Sequence, residues 1–161
     1  MYKTSLTVSV YGPAAYLMQS SQHPLNAEGE AKDSARRPSE RKPRALVVDD
    51  ASDIANMFAV ILRHAGYEVV TKLSAPAALE AARQERFDVV VSDIGMPGMN
   101  GYDLAEELRA LPDYSSVPMI AVTGFAQYED RHLALAAGFN ALLTKPVDPV
   151  ALVGLIKRLQ N

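Results

Sequence analysis

Four residues in this chain have the types and the spacing to bring a metal ion and an anion together. Asp49 and Asp50 close the apolar run 45–48, Asp93 closes the run 87–92, and Lys145, followed by Pro146, closes 141–144. Carboxylates crowded into one place repel each other unless a cation sits between them. Hard cations take oxygen ligands, and Mg2+ is held by one or two carboxylates while it keeps several waters. A peptide carbonyl just after Asp93, that of Gly95, could complete the protein's share of such a shell. The lysine then points to an anionic visitor. Mg2+ beside a carboxylate fits phosphoryl chemistry, because a carboxylate can attack phosphorus and hold the group as an acyl phosphate. That transfer is assisted mainly by positioning and charge neutralisation. Lys145 offers an ammonium for this purpose, and Thr123, just after the run 117–122, offers a hydroxyl. Each residue alone has a plainer reading. Asp49 or Asp50 could begin a turn and favour a helix dipole, Lys145 could be a surface lysine, and Thr123 a helix cap. Their joint placement at the ends of successive apolar runs is harder to explain that way.

The elements that must position these residues alternate regularly from Arg44 onward. Strand 45–48 is followed by Ser52 as an N-cap and by a helix to about His64, with Ile54, Met57, Phe58, Ile61 and Leu62 at helical spacing. Gly66 ends it. Residues 67–70 read as a second strand, Ser74 caps a helix to about Arg86, and 87–92 form a third strand. Gly95, Pro97, Gly98 and Gly101 make a long turn into a helix over about 102–110, stopped by Pro112. Strand 117–122, helix 127–137 closed by Gly138, strand 141–144 and helix 148–159 complete the pattern. The nearly unbroken apolar runs 45–48, 87–92 and 119–122 suit strands buried on both faces of a parallel sheet. Five such βα units predict an α/β, three-layer, doubly wound, flavodoxin-like fold with a five-stranded parallel sheet in the order 2-1-3-4-5. Ligands bind such sheets at the carboxyl ends of the strands, at the switch point between the first and third. Asp49, Asp50 and Asp93 stand there.

Composition narrows the alternatives. A chain of 161 residues with 48% hydrophobic content suits one globular domain with an appendage. No apolar run is long enough for a transmembrane helix. There is no cysteine, hence no disulfide framework or thiolate metal site, which fits a reducing, cytoplasmic setting. His23, His64 and His132 lack zinc-site spacing. Residues 1–43 carry six Lys/Arg and four Asp/Glu, a net of +2; the whole chain is −3, which leaves −5 on residues 44–161. That acidic part argues against nucleic acid as a partner. Residues 4–10 alternate like a short strand until Gly12-Pro13, and 19–43 are polar with three prolines. The stretch 1–43 therefore reads as a flexible arm or linker ahead of a domain over 44–161. A signal peptide is the sharper alternative, disfavoured because Lys3 is its whole positive region.

From Arg44 to Gln160 the chain resembles the receiver domain of two-component response regulators. The resemblance rests on Leu46-Val47-Val48-Asp49-Asp50, on the stretch Asp93-Ile94-Gly95-Met96-Pro97-Gly98-Met99-Asn100-Gly101, on Val122-Thr123-Gly124 and on Thr144-Lys145-Pro146. It implies that Asp93 accepts a phosphoryl group from a phosphohistidine of a sensor kinase or histidine phosphotransfer protein. It implies that Asp49, Asp50, Asp93 and the Gly95 carbonyl hold Mg2+, that Thr123 and Lys145 bind phosphoryl oxygens, and that the Lys145-Pro146 bond is cis. Such a protein is not an enzyme beyond catalysing its own phosphorylation and dephosphorylation. Two departures stand out. Leu142 occupies the position where the family often has a Tyr or Phe that swings inward, so the usual aromatic side chain is missing there; Phe139 nearby reads as core. Gly124 stands where alanine is commoner. The wording around Thr123 and Lys145 resembles receivers of hybrid histidine kinases. Nothing after the last helix reads as a DNA-binding or kinase domain, so the expected output is a protein contact on the surface of the fourth helix, fifth strand and fifth helix, without nucleic acid or membrane.

Three other readings compete with this one. A haloacid-dehalogenase-type phosphatase needs a second carboxylate two residues after its nucleophile, where this chain has Gly95 or Ser52. A flavodoxin-like FMN carrier needs a phosphate loop after the first strand, where Asp49-Asp50-Ala51-Ser52-Asp53 would repel the phosphate. A phosphorylation-independent receiver-like adaptor stays open.

Overall fold

The computed structural model describes residues 41–124 and 128–161. The arm expected over residues 1–43 therefore falls almost wholly outside the described residues, as do the short strand at 4–10 and the expected helix start at Gln127. Five strands, β1 (Arg44–Val48), β2 (Glu68–Lys72), β3 (Val89–Asp93), β4 (Met119–Thr123) and β5 (Ala141–Thr144), alternate with five helices. These are α1 (Ser52–His64), α2 (Ala75–Gln84), α3 (Gly101–Ala110), α4 (Tyr128–Ala137) and α5 (Pro149–Gln160). All strand pairs are parallel, in the order β2-β1-β3-β4-β5. Both the class and the order expected from the sequence hold.

The unbroken apolar strands serve two cores at once. Side chains alternate across a strand, so Ala45 and Val47 of β1 join one cluster with Phe58 and Leu62 of α1 and Leu152 and Ile156 of α5. Leu46 and Val48 join the opposite cluster, with Ala78 and Leu79 of α2, Leu104 and Leu108 of α3 and Ala134 of α4. Each fully buried large side chain here contributes about 1.5–3 kcal/mol. Leu142 packs beside the second cluster and Phe139 is buried within it, as the core reading expects.

Several boundaries differ from the sequence reading. Ser52 is the first residue of α1 rather than its cap. Ala51 is the N-cap and has no capping side chain, while Asp49 Oδ1 accepts the Ala51 N–H at 2.9 Å. Strand β3 starts at Val89 because Asp88 is held by other partners: its carboxylate accepts Arg41 at 2.8 Å and the Arg44 N–H at 2.7 Å. Phe87 lies under the Arg44 guanidinium, 5.1 Å from its ring centre. Strand β4 starts at Met119, after a short 3-10 helix over Pro112–Tyr114 that sequence periodicity did not signal.

Arg109 holds this end of the sheet together. Its guanidinium donates to the carbonyls of Gly138 (2.7 and 2.9 Å), Tyr114 (2.6 Å) and Val117 (2.8 Å), and to Asn140 Oδ1 at 2.9 Å. Burial lowers its pKa, but those acceptors satisfy the guanidinium. Asn140 Oδ1 also accepts the Met119 N–H at 2.8 Å. The C-terminal ends of α3 and α4 and the start of β5 are thus fastened to the start of β4.

Candidate functional site

Strand register brings the predicted residues together. Val48 pairs with Ser92 across β1 and β3, so Asp49 and Asp93 are the next residues at the same level on adjacent strands. By alternation both follow residues of the α1–α5 cluster, Val47 and Val91. Thr123 ends β4 opposite Thr144 of β5, and its carbonyl accepts the Lys145 N–H at 2.8 Å. That backbone bond sets the root of Lys145 beside the two carboxylates. The Lys145-Pro146 peptide is cis.

From there the ammonium reaches back across the sheet. Lys145 Nζ donates to Asp49 Oδ2 at 2.8 Å and to Asp93 Oδ1 at 3.2 Å. Asp49 and Asp93 are buried, at 1% and 7% exposure. Asp50 is exposed, and carboxylate oxygens of all three lie within 4.8 Å of one another. An oxygen-only set of three anions fits a hard divalent cation. The lysine alone supplies one positive charge against three negative ones.

Electrostatics agree with a site short of positive charge. Burial pushes the Asp93 carboxyl above its ordinary value; Lys145 opposes this by hydrogen bond and charge, and Asp49 and Asp50 add to the rise. For Lys145, burial works to lower the pKa, but hydrogen bonds and charge from Asp49 and Asp93 outweigh it and raise it. An added cation beside Asp93 would therefore favour its negative form.

The structure places the other candidates nearby with less detail. Gly95 is exposed in the β3–α3 loop, and a Cβ there would touch nothing within 4 Å. Thr123 is half-buried at the end of β4, and Gly124 follows it exposed.

One supporting residue escaped the sequence reading, which treated Gly101 only as part of a turn. A Cβ on Gly101 would lie 2.3 Å from the Asp93 carbonyl oxygen and 2.7 Å from Ile94 Cα. Helix α3 starts directly behind Asp93, and only glycine fits there. The Gly101 N–H donates to the Ile94 carbonyl at 2.9 Å, and Ser92 Oγ donates to the Asp93 carbonyl at 2.8 Å. A capping box fixes the start of α3: the Asp103 N–H donates to Asn100 Oδ1 at 3.0 Å, and the Asn100 N–H to Asp103 Oδ2 at 3.3 Å. Asn100 three residues before Asp103 was the available signal.

The family model described as the response regulator receiver domain matches residues 45–157. The chain belongs to this family. A receiver of known structure, the chemotaxis protein CheY4 of Vibrio cholerae, superposes with a TM-score of 0.71 at 33% identity, covering 74% of this chain and 99% of that one. The receiver domain of sensor histidine kinase PA1611 from Pseudomonas aeruginosa, described with a magnesium ion coordinated in the active site cleft, gives 0.69 at 30% identity over 74% and 98%. Among curated proteins, an uncharacterised 14.6 kDa protein of Leptolyngbya boryana is 41% identical over 70% of this chain and 86% of its own length. The sensor protein GacS of Pseudomonas syringae pv. syringae is 38% identical over 68% of this chain, which spans 12% of that protein. The chain also spans 50% of the mycobacterial DNA-binding response regulator MtrA, at 35% identity. This receiver therefore resembles domains found both in kinases and in response regulators. No helix among the described residues is long and apolar enough to cross a membrane.

Proposed function

We propose that this receiver is the phosphoacceptor of a two-component phosphorelay. Asp93 takes a phosphoryl group from the phosphohistidine of a sensor kinase or histidine phosphotransfer protein. An Asp93 carboxylate oxygen attacks phosphorus of a phosphohistidine protonated at its other ring nitrogen, the P–N bond breaks, and the bond's electron pair stays on the departing nitrogen, so that neutral imidazole leaves. Asp49, Asp50, Asp93 and the Gly95 carbonyl would hold Mg2+, which when bound neutralises charge on the carboxylates and the incoming phosphoryl oxygens. Thr123 and Lys145 bind the remaining phosphoryl oxygens. The protein catalyses only its own phosphorylation and dephosphorylation, works in the cytoplasm, and signals by contact with another protein.

The observation that carries this reading is the Lys145 ammonium bridging two buried carboxylates at 2.8 and 3.2 Å, with a third beside them. The magnesium described in the PA1611 receiver supports the choice of ion. Intact-mass spectrometry after incubation with acetyl phosphate and Mg2+ tests it. The wild type should gain one phosphoryl group, and Asp93→Asn none. No gain in the wild type would favour the phosphorylation-independent adaptor instead.

A further inference from the structure

Strand β2 is an edge of the sheet, paired with β1 on one side. Its backbone groups alternate in direction. The Glu68 N–H donates to the Pro43 carbonyl at 2.9 Å, and the Lys72 carbonyl accepts the Asp49 N–H at 3.2 Å. Glu68, Val70 and Lys72 therefore turn their N–H and C=O groups inward to β1, and Val69 and Thr71 turn theirs outward. Arg63 reaches that outer edge and donates to the Val69 carbonyl at 3.5 Å. A carbonyl can accept two hydrogen bonds, so this long contact leaves the edge able to pair. A row of outward N–H and C=O groups is a template for another strand.

The side chains specify which strand. β2 reads Glu68-Val69-Val70-Thr71-Lys72, with an acid at one end and a base at the other. Glu68 is exposed and meets Arg44 at 3.7 Å, while Arg44 also binds Glu85. Lys72 is half-buried, and no ion pair among the described residues engages it. Consider two copies paired antiparallel about a twofold axis through Val70. Glu68 of each copy then stands opposite Lys72 of the other, on the face that Val70 shares with both. Residues opposite each other in such a pair have Cβ atoms about 4.5–5.5 Å apart, close enough for opposite charges to attract. The same register sets Val69 of one copy opposite Thr71 of the other. These are the residues with outward backbone groups, so each pair exchanges two hydrogen bonds. A register slipped by two residues loses both charge pairs. We infer that β2 pairs antiparallel with β2 of a second copy of this chain, joining the two sheets through an isologous seam. A five-residue seam gives a small interface, so the association is weak and concentration-dependent. No side chain of the acidic cluster lies on β2, so the pairing is separate from phosphoryl transfer.

Sedimentation velocity of the full chain over a concentration series tests this. The wild type should show a monomer–dimer equilibrium. Thr71→Pro deletes an outward N–H and leaves the ladder to β1 intact, a place where a strand tolerates proline; it should weaken the dimer at least tenfold. K72E sets glutamates against each other at both ends of the seam, and E68K sets lysines against each other. Each should weaken self-association at least tenfold, yet the two variants mixed should form a heterodimer about as tight as the wild-type dimer, because the mixture restores both opposite-charge pairs. These charge variants decide the matter even where Thr71→Pro fails to fold. A wild type that stays monomeric at every concentration would overturn the proposal. So would a dimer indifferent to K72E and E68K, or a mixture of the two that associates no better than either alone.

Discussion

Gly101→Ala adds a single methyl group, and it should damage both stability and chemistry. Real Cβ atoms do not come within about 3.0 Å of such neighbours, so the 2.3 Å contact with the Asp93 carbonyl must open by roughly 0.7 Å. The neighbours are backbone atoms at and just after the end of β3 and cannot rotate aside. Overpacking of this kind costs about 1–3 kcal/mol, and the rigid contact puts this case near the top of that range. Better helix propensity of alanine returns about 1 kcal/mol. A net loss of about 2 kcal/mol should lower Tm by about 8 °C in a domain of this size. Because the displaced atoms belong to Asp93 and Ile94, the carboxylate also shifts relative to Lys145. Misplacement approaching 1 Å can cost about a hundredfold in a positioned reaction, so phosphorylation by acetyl phosphate should slow about 10–100-fold. Thermal unfolding and the time course of mass gain measure the two effects. Gly95→Ala is the control, since its Cβ meets nothing within 4 Å; it should stay within about 0.5 kcal/mol of wild type. A Gly101→Ala protein with wild-type Tm and rate would refute the placement of α3 behind Asp93.

Further outcomes follow from the charges and the clamp. Asp93→Asn should be more stable than wild type without divalent cation, because burial leaves the ionised carboxyl at a disadvantage. A raised folded pKa means that the native state holds its proton longer than the unfolded state. The wild type should therefore lose stability relative to Asp93→Asn as pH rises from the ordinary Asp value through the higher folded one, as urea titrations at stepped pH would show. Lys145 carries the opposite consequence: its raised pKa gives stability that is complete below the ordinary lysine value and is lost as pH climbs through the folded one. Lys145→Ala should leave Mg2+ affinity, read by calorimetry, at least as tight as wild type while the response to phosphorylation weakens. Asp50→Asn should weaken Mg2+ binding with little change in unfolding free energy, since Asp50 is exposed. Arg109→Ala strips hydrogen bonds from the carbonyls of Gly138, Tyr114 and Val117, and should cost about 3–5 kcal/mol in chemical denaturation.

The chemistry-bearing residues were legible because they end apolar runs, and in a parallel sheet the ends of such runs converge. The parallel sheet covered on both faces followed from the same runs, since strands feeding two cores cannot alternate in polarity, and the strand order followed from five βα units in succession. What remained hidden depends on contacts distant in sequence. Ser52 looked like the cap of α1, but Asp49, already committed to Lys145, also takes the Ala51 N–H. Asp88 looked like part of a strand, yet its carboxylate holds Arg41 and the Arg44 backbone, more than 40 positions away. Nothing local to Arg109 foretells its four acceptors, which lie in the stretches 114–117 and 138–140. Gly101 carried a turn signal, but its steric necessity appears only when α3 is seen against the back of Asp93.

The most direct measurement is to locate the phosphoryl group. Borohydride reduction of the acetyl phosphate-treated chain converts an acyl phosphate into the corresponding alcohol, and peptide mapping finds the altered residue. The account predicts one altered position, Asp93, in the presence of Mg2+, and none when EDTA is added. A modified residue elsewhere, or modification of Asp93 that proceeds equally in EDTA, would contradict it.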